Sequence, residues 1–252
     1  MEGLTQRGIS TSAFGLGSSF DEDLMGAIAM AGDGTLAHIE SPEQLTDLYA
    51  SELKGLLSNF GYRVSIAIEE QNGSRLLDIF NDLPQTTNGT YRLSNLRYGQ
   101  QLTIGVRSQL PPWNDHQEIM RVRLTWDSQE EQNRQELNQS LTLPVKEQKE
   151  INSMDRDEEV AEQLILLLSN RERRRAIAYL DSGDVQSAAA SLDITDSRLS
   201  AMPQSPSILR ERQLLADKKR LLRLNRNLSR KHMYYESLRS SVNVYEVDRD
   251  DH

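Results

Sequence analysis

The chain of 252 residues contains no cysteine and carries a net charge of −9, which excludes disulfides, thiolate nucleophiles and zinc sites built on cysteine. Residues 1–150 hold 12 Lys and Arg against 21 Asp and Glu, whereas residues 151–252 hold 17 of each. An acidic first half argues against general nucleic-acid binding because phosphate groups repel it. No signal-peptide pattern opens the chain and no apolar run is long enough to cross a bilayer, so we expect a soluble, cytoplasmic protein without a membrane span.

The first sixty residues alternate between strand and helix patterns. Residues 8–17 form a short apolar run that ends in glycines, as expected for a buried parallel strand followed by a tight turn. Acidic side chains at 21–23 favour the start of a helix. Glycines at 32 and 34 end that helix, and residues 35–39 predict a second strand. The apolar positions of the helix recur at helical spacing: Leu24, Met25 and Ile28.

The next helix has the clearest start signal in the chain. Ser41 is a good N-cap, Pro42 suits the first turn, and Gln44 completes a capping box. Two strands and two helices predict a doubly wound sheet but are too few to close one. Residues 1–60 are therefore expected to be part of such a fold or to need a partner. The predicted apolar face of this helix consists of Leu45, Leu48, Tyr49, Leu53, Leu56 and Leu57.

Residues 61–147 show the alternating pattern of antiparallel strands. Turn signals such as Asn72-Gly73 and Pro111-Pro112 separate the alternating runs. Several such strands at fairly regular spacing predict a small antiparallel β-sandwich. The predicted strands are 64–68, 91–96, 102–106, 120–126 and 141–145.

Residues 155–245 are predicted to be helical, after a short polar linker. An apolar face continues to Ser182 and Gly183, where a turn closes a helical hairpin, and Asp184 caps its second helix. Prolines at 203 and 206 precede a third, long helix over about residues 207–238. The predicted fold is therefore an α and β multidomain protein, with a partial doubly wound α/β segment (1–60), an antiparallel β-sandwich (61–147) and a C-terminal helical hairpin plus long helix (155–245).

The long third helix carries the candidate partner interface. Leu214, Leu221 and Leu228 repeat every seven residues, with Leu224 between them. This stripe is typical of a helix that packs on a partner helix while its basic residues face solvent. An alternative is that the basic residues at 218–231, or the arginines at 171–175, bind nucleic acid or an anionic surface.

Residues 8–57 resemble the C-terminal part of a bacterial von Willebrand factor A (VWA) domain. That family has the same order of features: a strand that ends in Gly-x-Gly, an acidic helix start with a Leu-Met pair, then Gly-Asp-Gly-Thr and Ser-Pro-Glu-Gln. Here they stand at 8–17, 21–25, 32–35 and 41–44. The β region and the helical tail also follow in the order of longer bacterial proteins with this domain.

The resemblance implies that the metal-binding half of the domain is absent. The family binds a divalent cation through an Asp-x-Ser-x-Ser loop and a later Thr and Asp, all of which would precede Met1. Asp-x-Ser-x-Ser does not occur in the sequence, so we expect no cofactor here, and Mg²⁺ only if an upstream half is supplied. The chain either complements a second chain that carries this half or is a truncated product. A MoxR-type AAA+ ATPase is the other partner implied.

No motif predicts catalysis. The Gly15–Gly17 turn lacks the Lys-Ser/Thr of phosphate loops. The carboxylates at 21–23 point in different directions on a helix, so their favourable interaction with the helix dipole explains them better than a metal site does. The four histidines lie without ligand spacing: His38, His116, His232 and His252. We therefore predict a non-enzymatic protein-interaction or adaptor protein without a small-molecule substrate and without catalytic, cofactor or metal residues.

Overall fold

The computed structural model describes residues 9–17, 19–39, 41–112, 117–128, 130–131 and 133–239. The chain divides into two compact units. Unit 1 contains residues up to 57, residues 101–103 and the region from 162 onward, and unit 2 contains residues 58–100 and 104–161. The N-terminal α/β segment and most of the helical region therefore belong to one unit. The predicted domain boundaries at 60, 147 and 155 stay predictions.

Strands and helices alternate up to Ser58, strands follow from Asn59 to Leu143, and the described elements from Gln148 onward are helices. The strands are β1 (Thr11–Leu16), β2 (Asp33–Ile39), β3 (Asn59–Glu70), β4 (Arg75–Ile79), β5 (Tyr91–Arg92), β6 (Leu96–Arg97), β7 (Val106–Gln109), β8 (Gln117–Ser128) and β9 (Arg134–Leu143). The helices are α1 (Glu22–Ala31), α2 (Leu45–Ser58), α3 (Gln148–Ser153), α4 (Glu158–Asp181), α5 (Val185–Ser200), α6 (Pro206–Leu224) and α7 (Arg226–Arg239). None of these helices is long and apolar enough to cross a membrane.

Unit 1 contains the predicted strand–helix–strand arrangement. β1 and β2 pair in parallel, with Ala13 opposite Leu36, and α1 connects them. On one face of this sheet, both residues pack with Ala29 of α1 and with tyrosines of α7. On the other face, Phe14 contacts Tyr49 of α2, and the Ser12 hydroxyl donates to Glu52 of α2 at 2.9 Å. A 3-10 turn at Pro42–Gln44 precedes α2. Helices on both faces confirm the predicted doubly wound segment, and the Ser41 amide donates to Gln44 Oε1 at 3.5 Å in the predicted capping box.

The helical region forms the main core of unit 1. As predicted, Asp184 caps α5, where its side chain accepts from the Ser187 amide at 3.0 Å. The structure divides the predicted long helix at Asn225, whose backbone is extended at φ −151° and ψ 99°. Asn225 Oδ1 accepts the Leu228 amide at 3.1 Å and so starts α7. The core residues at the centre include Leu180, Leu192, Leu199, Ile208, Leu215 and Met233.

Unit 2 contains two antiparallel sheets. The larger has the strand order β5-β3-β8-β9, with β6 also pairing with β3, and the smaller joins β4 to β7. The runs at 64–68 and 120–126 lie inside β3 and β8 as predicted. The predicted strand at 102–106 is wrong, because β7 begins only at Val106. The sequence did not predict β4. β9 begins at residue 134, well before the predicted run at 141–145, because Leu137 is the only apolar residue between 134 and 140 and gives too little alternation to indicate a strand.

Candidate interaction surfaces

The loop after β1 turns tightly and is filled by an aromatic ring. A Cβ on Gly15 would lie 2.4 Å from the Phe20 ring, so this position accepts only glycine without movement of the ring. Gly17 has a φ of +71°, which glycine adopts at little cost. The Gly17 carbonyl oxygen lies 2.8 Å from His38 Nε2 of β2. The two glycines therefore form a tight turn against the Phe20 ring.

The acidic residues at the start of α1 cap the helix and bind cations of the same unit. Asp21 Oδ1 accepts from the Leu24 amide at 2.9 Å. Arg230 of α7 donates to Glu22 at 2.6 Å and to Asp23 at 2.9 Å, and Lys231 also pairs with Glu22. Burial alone would raise the pKa of Glu22, but hydrogen bonds from the two cations outweigh it and lower that pKa. Glu22 and Asp23 are therefore ion-pair partners of α7, whereas Asp21 caps α1.

Two histidines that are distant in sequence meet beside this loop. The rings of His38 and His232 approach to 5.0 Å between centroids, and Lys231 Nζ lies 4.2 Å from the Phe20 ring centroid. No sequence signal links positions 38 and 232, because only the packing of α7 against β2 brings them together. Within the described ranges, no group of three His, Cys, Asp or Glu is arranged to hold a metal. His116 and His252 lie outside those ranges.

The four leucines of the predicted interface differ in exposure. Leu224 is 73% exposed, whereas Leu214, Leu221 and Leu228 are partly buried. The buried side chains of α6 include Leu215 and Leu222, which each follow a leucine of the predicted interface by one position. The partner interface on these four leucines stays a prediction.

Many of the basic residues considered for nucleic-acid binding are paired within the protein. Arg173 is 1% exposed and donates to the buried Glu211 at 2.6 Å. Further ion pairs join Lys218 to Glu236, Lys219 to Asp193 and Asp196, Arg212 to Asp196, and Arg230 to Glu22, Asp23 and Asp181. These contacts neutralise much of the basic character of α4, α6 and α7.

An exposed apolar surface follows the outer edge of β1 and one side of α2. Phe14 of β1 meets Tyr49 of α2 with ring centroids 5.6 Å apart. Tyr49 and Leu53 are each 59% exposed and Leu57 is 78% exposed, although all three belong to the predicted apolar face of α2. Leu16, at the end of β1, is 53% exposed. Together these residues form the edge surface, which consists of Phe14, Leu16, Tyr49, Leu53 and Leu57.

The backbone of β1 also leaves one side of the strand without a strand partner. Thr11 and Gly17 donate their amides to Gly32 and Ile39, so odd-numbered residues of β1 face β2. Backbone groups alternate along a strand, which directs those of Ser12, Phe14 and Leu16 to the opposite side. In the part of the chain that the structure describes, β2 is the only strand that pairs with β1.

Solved structures of other proteins resemble the fold of this chain. The ArnB paralog VWA2 from Sulfolobus acidocaldarius matches with a TM-score of 0.55 at 14% identity, over 93% of this chain and 57% of that one. A von Willebrand factor type A protein from Catenulispora acidiphila matches with a TM-score of 0.58 at 13% identity, over 96% and 61%. The fold is VWA-like.

The structural alignments extend beyond the α/β segment, because they cover nearly the whole chain. The human COPII-coat protein Sec24c also matches, with a TM-score of 0.57 at 14% identity, over 95% of this chain and 33% of its own. This chain thus spans less than two thirds of each of these three proteins. No protein-family model and no curated protein matches the sequence.

Proposed function

We propose that this chain is a non-enzymatic protein-interaction module of VWA-like fold that docks a strand-and-helix segment of another polypeptide on its edge surface. The observation that carries this proposal is the row of exposed apolar side chains on α2, which continues onto the outer side of β1 through the contact of Tyr49 with Phe14. Exposed apolar patches of this kind mark interaction sites in soluble proteins.

The edge surface favours a partner segment that consists of a strand followed by a helix. Parallel sheets occur almost only with both faces covered and with several strands, whereas this one has two described strands. An added strand would bond to the backbone of Ser12, Phe14 and Leu16, which faces away from β2. A helix after that strand would then cover Leu53 and Leu57 of α2, because doubly wound sheets place a helix beside each added strand.

The proposed partner is a polypeptide that carries the complementary half of a VWA domain. This identity comes from the sequence resemblance, which also makes a MoxR-type AAA+ ATPase a second partner to test. The Asp-x-Ser-x-Ser loop of the partner would bind Mg²⁺, and this chain would supply the adjoining strands. We propose that the interaction takes place in the cytoplasm.

The alternative of nucleic-acid binding has less support from the geometry. The ion pairs of Lys218, Lys219 and Arg230 satisfy cations that phosphate would otherwise attract. Phosphate-driven binding falls steeply as salt rises, whereas an apolar interface changes little. Salt and nuclease treatment therefore separate the two functions.

The test compares two variants that introduce the same residue on different sides of α2. Leu53→Asn removes an apolar side chain of the edge surface, and Asp47→Asn changes an exposed residue away from it. Each tagged variant is purified from the native cells with nuclease treatment, and its bound proteins are quantified by mass spectrometry. We expect Leu53→Asn to lower recovery of the partner roughly tenfold, because burying a leucine contributes about 1.5–3 kcal/mol. Asp47→Asn should retain the partner. Equal recovery with both variants, or loss of every bound protein on nuclease treatment, would overturn the proposal.

A further inference from the structure

The outermost strand of the larger sheet in unit 2 is long, regular and exposed. β9 spans Arg134–Leu143, pairs with β8 on one side, and has every residue except Gln135 exposed. Its register with β8 runs from Leu141 to Arg134 without a bulge. Natural proteins protect such edges with lysine, proline or a bulge. β9 contains neither lysine nor proline.

One face of β9 continues the apolar face of the sheet into solvent. Leu141 lies opposite Met120 and Leu137 lies opposite Leu124, so these four residues share a face. Met120 is 2% exposed, whereas Leu141 is 42% and Leu137 is 55% exposed. The apolar layer of unit 2 therefore ends in an uncovered strip at β9.

We infer that β9 pairs in antiparallel orientation with β9 of a second copy of this chain, about a two-fold axis at Gln139. In this register, Leu137 faces Leu141 of the second copy and Leu141 faces its Leu137, so the symmetry brings four exposed leucines together. On the polar face, Asn138 meets Ser140 and Glu136 meets Thr142. Arg134 and Glu136 are the only charged residues of β9, and neither meets a like charge.

The self-complementarity depends on this particular register. An axis at Asn138 would place Leu137 opposite Gln139 and Leu141 opposite Gln135, which leaves each leucine without an apolar partner. An axis at Ser140 would shorten the paired stretch to residues 137–143. The occupant is therefore a second copy rather than an arbitrary strand, because the same nine residues, 135–143, provide both sides. The inference does not depend on the edge surface, since β9 belongs to unit 2.

The test uses the complete chain, which has no cysteine of its own. Light scattering should give twice the chain mass of 28.7 kDa. Under mild oxidation, Gln139→Cys should form a covalent dimer, because position 139 faces itself across the axis. Gln135→Cys is the matched control, and it should stay uncrosslinked because position 135 faces Leu143 of the second copy.

A charge pair tests the same register in solution. Gln139→Lys and Gln139→Glu should each weaken the dimer roughly fivefold, because like charges then meet at the axis, and a mixture of the two should restore it. Gln213→Lys, on an exposed position of α6, adds the same charge and should leave the dimer intact. A monomer mass for the native chain would overturn the inference, as would a dimer that neither charge variant weakens. Both results would leave the edge-surface proposal standing.

Discussion

At the scale of single residues, Arg230 joins three segments of unit 1. Its guanidinium donates to Glu22 and Asp23 at the start of α1 and to Asp181 at the end of α4. The planar group presents several donors in a fixed arrangement, which suits contact with more than one carboxylate. The hydrogen bond with Asp181 outweighs burial and raises the pKa of Arg230, so the side chain stays charged.

Replacing Arg230 should destabilise unit 1. Arg230→Gln removes the shared cation and leaves three carboxylates close together, which should lower the free energy of unfolding by roughly 2 kcal/mol. Urea unfolding followed by circular dichroism measures the change. Arg223→Gln, at an exposed position of α6, is the control and should stay within about 0.5 kcal/mol of the native chain. Equal effects of the two variants would show that the Arg230 contacts add nothing.

The lowered pKa of Glu22 predicts a pH dependence. Because the pKa in the folded state lies below its ordinary value of 4.5, the carboxylate stabilises the fold fully above that value. The stabilisation is lost as the pH falls through the folded-state pKa. Urea titrations between neutral pH and pH 3 should show the native chain more stable than Glu22→Gln at neutral pH, with a difference that narrows in acid. A difference that is constant with pH would contradict this assignment.

At the scale of elements, Asn225 separates α6 from α7. The extended backbone ends one helix, and the side chain caps the next through the Leu228 amide. Asn225→Ala should lower the stability by about 1 kcal/mol, because the cap is lost. Asn225→Asp keeps an acceptor at the same place and should unfold near the native temperature. Thermal unfolding measures the melting temperature of each variant. A melting temperature that Asn225→Ala leaves unchanged would show that the cap does not stabilise the fold.

Local features of these elements could be predicted from the sequence. The caps at Ser41 and Asp184 depend on residues within one helical turn, and both are present. The parallel order of β1 and β2 followed from a strand–helix–strand pattern. These signals lie within a few residues of the structure that they specify.

Features that depend on distant residues could not be predicted. Burial on α2 is the clearest example, because Leu53 and Leu57 fit a buried helical face yet lie exposed beside the sheet. The basic residue Arg230 likewise fits a solvated surface, and only the packing of α7 against α1 reveals its three carboxylate partners. The first half of the outer strand β9 has Leu137 as its only apolar residue, so the sequence gave no alternating signal there.

At the scale of the molecule, the alignments to two solved VWA-type proteins cover 93% and 96% of the chain at 13–14% identity. Each unit exposes an apolar surface beside a strand: the edge surface in unit 1 and β9 in unit 2. Surfaces of this type are costly to leave in water, which is why we assign both to association with other polypeptides.

Site-specific crosslinking in the native cells tests the docking function most directly. A photoreactive amino acid replaces Leu53 in one variant and Asp47 in another, and crosslinked peptides are identified after irradiation. We predict that position 53 crosslinks to a protein segment that forms a strand and helix and lies in the same chain as an Asp-x-Ser-x-Ser loop, while position 47 does not. Absence of a protein crosslink from position 53, or the same crosslinks from both positions, would contradict docking at the edge surface.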